Sequence, residues 1–443
     1  MTILPEYFEA KEKEAADGFR SSNFTDGEIK EARKMLDDSS VSSQNRQDLL
    51  YMLSNHGELS PNEIDKYARE VGADPEDVKE GGEAPLENAK NARKSLDEAN
   101  KGKIEDAQEK LDQGGFSNSD EIIDQAKVMV KLFQDFHPRY QKAKGLDGIG
   151  GGGDDKPNYV ESDLSQGQGG DGSGSGKYSH QGGTPDEIRA GLGEFRGIEF
   201  SSFQQDASML ENASNAVDGA NESLNRSWQD GTSEWTGDAK QAAQSENQGI
   251  KDNAGKLAKA LGKAPENIRT VSRDNKNNVV EYAKAVLKLY GDGKVSGLAA
   301  AEVDDLIKAH QELPGAVKQL EDKVQELENR NLWDHFVDYV TSPIQLVSGL
   351  LGPIGTIIGY ALSEKITEDN IHEELEKLKG AQDEVKKKLN DFVNAYDKKV
   401  KSFHDQGVNA GEAIQKNYSQ LVQQLHINLA DHQPAPGRYA DLS

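Results

Sequence analysis

Two short segments carry acidic side chains at spacings that resemble a calcium-binding loop. They are SNHGELSPNEID at residues 54–65 and YGDGKVSGLAAAE at residues 290–302. Such a loop needs a glycine at its sixth position and an oxygen ligand at its first. Aligning the central glycine of each segment with that position places Met52 or Lys288 at the first ligand position. We therefore interpret both segments as turns.

Other patterns that could support catalysis fail in the same way. The glycine-rich stretches GLGEFRG and GIGGGG follow no strand pattern, so they do not predict a phosphate-binding loop. The nine histidines show no HExxH motif or paired-ligand spacing, and no serine lies in a nucleophile elbow. The sequence predicts a protein that is not an enzyme and that uses no metal and no cofactor.

The composition indicates long helices and linkers. The chain has 443 residues, 44 of them glycine, a hydrophobic content of 34% and a formal net charge of −26. This charge repels nucleic acids and anionic lipid headgroups, so a nucleic-acid partner is not expected. Residues 1–20 lack the basic start and apolar core of a secretory signal peptide, so any export is expected to use another route.

A segment rich in glycine and serine, residues 145–183, separates two helical parts of the chain. Ordering such a segment costs much conformational entropy, and we expect it to be a flexible linker. Before it, helix-start signals and apolar periodicity predict an N-terminal helical module. Its helices are expected at residues 25–38, 42–53, 60–72, 85–112 and 118–144.

After the linker, two apolar stripes with helical spacing flank the turn sequence QDGTSEWTG. Small and apolar side chains in both stripes allow the helices to fold back on each other as a hairpin. The first stripe contains Phe203, Ala207, Leu210, Val217, Ala220, Leu224 and Trp228. The second contains Ala239, Ala242, Ala243, Ile250, Ala254, Leu257 and Leu261.

The turn of this hairpin contains one of the three tryptophans of the chain. Gly237 can reverse the chain direction, and Asp238 or Thr236 is expected to cap the second helix. Trp235 then either closes the end of the hairpin with its indole or, next to Trp228, forms a protruding apolar contact for a partner. Both alternatives follow from the same residues.

Residues 185–290 resemble the WXG family of type VII (ESX) secretion substrates of actinobacteria and firmicutes. The resemblance rests on Trp235-Thr236-Gly237 followed by DAKQAA between two helices of suitable length. It implies secretion without a cleaved signal peptide, to the cell surface or beyond, with a secretion ATPase or chaperone as partner. It also implies a second element, Tyr-x-x-x-Asp/Glu, which Tyr159 and Asp163 match.

An uncharged segment, residues 339–363, lies among strongly charged neighbours. Its 25 residues are long enough to span a bilayer, but prolines and glycines interrupt it near Gly352. We expect an apolar tongue at the tip of two antiparallel helices, residues 302–330 and 366–404. The tongue either packs as core or contacts a membrane, as in α-helical pore-forming toxins, which it resembles in outline. Its apolar side chains are Leu346, Leu350, Leu351, Ile354, Ile357 and Ile358.

Together these patterns predict an elongated all-α protein with coiled-coil-like helices and a possible homo-oligomer. The function expected from the resemblance is a non-enzymatic secretion substrate that acts in interaction or assembly. The alternative is a virulence-associated, membrane-active effector that uses the tongue. The expected divisions are a helical module at 1–144, the linker at 145–183, the hairpin at 184–290, long antiparallel helices at 291–432 and a polar tail at 433–443.

Overall fold

The regular secondary structure of the part of the chain that can be described is helical, as predicted. The computed structural model describes residues 24, 26–80, 85–150, 178, 180–329 and 371–425. Over these residues there is no strand, and the β-type pairing consists of the isolated bridges Asn118 to Glu199 and Val295 to Leu298. The protein is all-α.

The first helices lie close to their predicted positions. Ser60 caps α3 through a hydrogen bond from the Glu63 backbone, and the Glu63 side chain reciprocates, which is the capping box that the sequence indicates. One expected helix, at residues 118–144, is divided by a short 3₁₀ turn at Lys127–Met129. The helices are α1 Asp26–Asp37, α2 Ser43–Asn55, α3 Pro61–Val71, α4 Pro75–Glu80, α5 Pro85–Gln113, α6 Ser119–Ala126 and α7 Val130–Lys144.

The later helices are longer. A short helix, α8, spans Pro185–Gly193 and leads into the two helices of the hairpin, α9 at Phe200–Gly231 and α10 at Asp238–Lys288. They are followed by α11 at Ala300–Asn329 and α12 at Ile371–Leu425. The segment at residues 289–299 between α10 and α11 contains turns, as we interpreted it.

Two hydrophobic cores hold these helices. The smaller core contains side chains of α1 to α4 and the first half of α5, including Leu36, Leu50 and Leu96. The larger core joins the end of α5, α6 and α7 to α8, α10, α11 and α12, and Phe133 and Phe403 lie at its centre. Residues on both sides of the predicted linker therefore share one core. The predicted domain boundaries themselves stay predictions.

The helices α11 and α12 run antiparallel within the larger core. Glu321 pairs with Lys379 at 2.9 Å. Farther back along α11, burial lowers the pKa of His310, and the charge of Lys386, farther along α12, lowers it further. Their buried faces carry aliphatic and aromatic side chains, such as Leu320 and Phe392. The described parts of α11 and α12 thus form an antiparallel pair, and the expected tongue lies outside the described residues.

A buried ion pair ties α7 to α11. The guanidinium of Arg139 donates to one carboxylate oxygen of Asp304 at 2.9 and 2.7 Å, and the arginine side chain is 4% exposed. Burial raises the pKa of Asp304, and the charge of Arg139 acts against that rise. Removing only the arginine would leave a carboxylate in the interior without its counter-charge.

We predict that Arg139→Met lowers the free energy of unfolding by about 3 kcal/mol, because Asp304 then loses its partner while it stays buried. Chemical denaturation of the full chain measures this. Arg226→Met is the matched control, since Arg226 pairs with Glu222 at 3.7 Å on the exposed face of α9. The control should unfold like the wild type, and equal losses in the two variants would refute the prediction.

Candidate functional site

The predicted hairpin consists of α9 and α10, and its base is a three-helix contact. Ala207 of α9, Ile268 and Val271 of α10 and Leu421 of α12 form a small hydrophobic cluster. Phe203 packs against Tyr418, with their ring centroids 6.2 Å apart. The end of α12 therefore covers the groove between the two hairpin helices at this level.

Farther out, within the part of the chain that the structure describes, only the two hairpin helices pack against each other. Among the described side chains of residues 214–258, only Ser214, Thr232 and Ala258 are buried. The Ser214 hydroxyl donates to the carbonyl of Ala258 at 2.8 Å, which marks the close crossing of the two helices. Beyond it, α9 continues for 17 residues, or about 25 Å at 1.5 Å per residue.

The apolar stripes of this outer part are only partly covered. Val217 and Trp228 on α9 are half-buried, as are Ile250 and Leu257 on α10, and Leu224 is 46% exposed. Two helices alone cannot enclose stripes of this width, because each helix shields only one side of its neighbour. The outer hairpin therefore presents a continuous, partly apolar surface.

The hairpin turn places the two tryptophans together. Trp228 and Trp235 meet edge to face, with ring centroids 6.1 Å apart and an interplanar angle of 68°. Thr232 ends α9: its backbone N–H and its hydroxyl both donate to the carbonyl of Trp228, at 3.0 and 2.7 Å. The backbone N–H of Trp235 donates in turn to the carbonyl of Thr232 at 3.1 Å. These bonds fix the indole at the corner.

Trp235 remains accessible in this position, with 49% of its surface exposed. Asp230, Glu234 and Asp238 lie within five positions of it in the sequence, and Lys240 is the single basic residue between positions 228 and 240. The tip thus combines an accessible apolar ring with a locally acidic sequence. Trp235 packs against Trp228 on one edge and exposes the rest of its surface to solvent. Its role as a contact for a partner stays a prediction.

The capping prediction was wrong. Gly237 itself is the N-cap residue of α10, with no side-chain hydrogen bond, and Asp238 is the first residue of the helix. The backbone of Gly237 has φ +81° and ψ −167°, a region open almost only to glycine. Glycine has no side chain that could cap the helix. The Asp238 carboxylate lies instead in the first turn, where it interacts favourably with the positive end of the helix dipole.

Comparisons with protein-family models, with curated proteins and with solved structures found no match. The assignment of the WXG family stays a prediction that rests on the residues of the turn and its two helices.

Several predicted functional residues lie outside the described residues. These are Tyr159 and Asp163 of the second secretion element and the six apolar residues of the tongue, Leu346, Leu350, Leu351, Ile354, Ile357 and Ile358. Over the described ranges, no helix is long and apolar enough to span a membrane. In the same ranges no cluster of three or more histidine, aspartate or glutamate side chains is placed to hold a metal ion.

Thr232 is a site residue that the sequence did not single out. It is 7% exposed, and its two hydrogen bonds to Trp228 define where α9 stops. A signal was present in the sequence, because a threonine four residues after an aromatic helix position can return its hydroxyl to that carbonyl. Periodicity alone does not reveal this bond.

We predict that Gly237→Ala loosens the tip without unfolding the cores, since alanine adopts this backbone conformation at a cost of about 1–3 kcal/mol. Acrylamide quenching of tryptophan fluorescence, in a Trp333→Phe background, should increase for the tip tryptophans while the melting temperature of the chain is unchanged. Gly231→Ala is the control, because no heavy atom lies within 4 Å of the position of its added Cβ. Equal quenching in both variants would contradict the account of the turn.

Proposed function

We propose that this protein is a non-enzymatic interaction or assembly protein whose outer hairpin is a docking element. The observation that supports this most directly is the accessible Trp235 at the end of two incompletely covered helices. Tryptophan is favoured where protein partners bind, because its large rigid ring buries much apolar surface at little entropic cost. The carboxylates close to Trp235 in the sequence favour a partner with basic groups around an apolar pocket.

We further propose that the partner is the machinery of type VII secretion, an ATPase or a chaperone, and that the protein acts outside the cell or at its surface. This proposal is supported by the sequence Trp235-Thr236-Gly237 at the turn between two antiparallel helices. The arrangement of the hairpin is compatible with recognition of a folded protein, since the tip needs no unfolding to become accessible.

A membrane-active role of the tongue is a second proposal. One observation favours it: the pairing of Glu321 with Lys379 brings together the ends of α11 and α12 from which the tongue segment leaves and to which it returns. An apolar segment carried at one end of a rigid helix pair is well placed to be presented to a bilayer. The net charge of −26 opposes its adsorption to anionic membranes.

We predict that Trp235→Arg abolishes export of the full chain from cells that have a type VII secretion system. A charged, flexible side chain replaces the apolar ring that the partner is proposed to bind, while the cores are untouched. Immunoblotting of cell and medium fractions measures export, and far-UV circular dichroism of the purified variant should show unchanged helicity.

Met209→Arg is the matched control, because Met209 is 66% exposed on α9, the first hairpin helix, and lies nearer the base of the hairpin than Trp235. It should be exported like the wild type. Normal export of Trp235→Arg, or loss of export in both variants, would refute the role of the tip. Export of the wild type from cells without the secretion ATPase would refute the secretion proposal while leaving the docking proposal intact.

A further inference from the structure

The residues that precede α8 are anchored by a buried tyrosine, Tyr178. Tyr178 is 5% exposed and packs between α8 and α12, where Gly191 and Gly407 approach its ring. A Cβ atom at Gly407 would lie 2.5 Å from two ring carbons of Tyr178, and one at Gly191 would lie 2.5 Å from its hydroxyl. The ring fits only because both positions lack side chains.

His404 of α12 holds this segment by both ring nitrogens. Its Nδ1 lies 2.8 Å from the Tyr178 hydroxyl, and its Nε2 lies 2.7 Å from the carbonyl oxygen of Gly182. Because a carbonyl only accepts, Nε2 carries a proton, and in the neutral imidazole Nδ1 then accepts from the tyrosine hydroxyl. The histidine is 5% exposed, and burial favours this neutral form. We call Tyr178 and residues 180–183 the docked segment.

We propose that His404 is a pH-sensitive latch that holds the docked segment while neutral and releases it when protonated. Protonation places a second N–H on Nδ1, facing the Tyr178 hydroxyl, which must then stop donating to it. It also creates a positive charge inside the larger core, where desolvation is costly. Undocking the segment hydrates the imidazolium and removes both costs.

The charged groups around His404 do not cancel this effect. His180 of the docked segment disfavours the imidazolium, whereas Glu187 of α8 and the neighbouring Asp405 favour it. Burial outweighs them and lowers the pKa of His404 below its usual value. Burial likewise raises the pKa of the facing Tyr178, so its hydroxyl stays protonated.

One contact acts in the opposite direction. His180 Nε2 lies 2.9 Å from a carboxylate oxygen of Glu194, and the two carry opposite charges only when the histidine is protonated. In that state the pair holds the docked segment more firmly, whereas protonation of His404 releases it. The contribution of His404 is therefore measured by comparison with a variant that keeps His180.

The size of the effect is bounded by linkage. If the histidine titrates with its ordinary pKa of about 6.5 when released and stays neutral when docked, lowering the pH from 7.5 to 5.5 multiplies the open-to-docked ratio by about ten. This is the maximum, and any protonation in the docked state reduces it.

Hydrogen–deuterium exchange of the full chain at the two pH values tests the latch. After correction for intrinsic exchange rates, peptides spanning residues 178–184 should exchange up to about tenfold faster at pH 5.5 than at pH 7.5 in the wild type. His404→Gln keeps a donor for Gly182 and an acceptor for Tyr178 but does not titrate. Its corrected rate at pH 5.5 should not exceed its corrected rate at pH 7.5, whether or not glutamine keeps the segment docked.

His56→Gln is the control, because burial also lowers the pKa of His56, but this histidine packs against Phe24 of the smaller core. It should show the wild-type ratio at residues 178–184. A wild type without the pH response, or a His404→Gln variant that retains it, overturns the proposal.

Discussion

An amphipathic helix needs a partner for each side of its apolar stripe, and the number of partners decreases along this molecule. In the larger core, α10 and α12 are covered by several helices, and Tyr396 and Phe403 are almost fully buried. At the hairpin base three helices remain, joined by Ile268 and Leu421. In the outer hairpin the described ranges leave two helices, and these cover the stripes only partly. The proposed docking role follows from this decrease.

The turn adds a specific feature to an otherwise repetitive surface. Two helices with stripes of small and aliphatic side chains could bind many apolar partners in several registers. The paired rings of Trp228 and Trp235 mark one end of the surface. Thr232 fixes their position by its hydrogen bonds, and the chain changes direction at Gly237. The accessible indole of Trp235, with acidic residues close to it in the sequence, would favour one partner and one orientation.

The sequence predicted the helices and the hairpin because their signals are local. Stripes with a period of 3.6 residues, a capping box and a glycine at the turn lie within a few positions of one another. The prediction of the residue that caps α10 was wrong. The backbone geometry at Gly237 decides which residue takes the cap position, and the presence of nearby polar side chains does not. Proline is a local signal for the end of a helix, yet α10 continues through Pro265. Packing against other helices can therefore override such a local signal. The latch joins residues 178 and 404, and no local pattern indicates such distant pairs.

The incomplete cover of the outer hairpin can be measured directly, because the chain contains no cysteine and accepts single reporter thiols. Ala243→Cys and Ala254→Cys lie on the outer stripe, whereas Ala207→Cys lies in the buried base. The account predicts that a soluble maleimide labels the two outer thiols within about tenfold of the rate of a free thiol and labels the base thiol far more slowly. Equal protection at all three positions would mean that another helix covers the outer hairpin, and would contradict it.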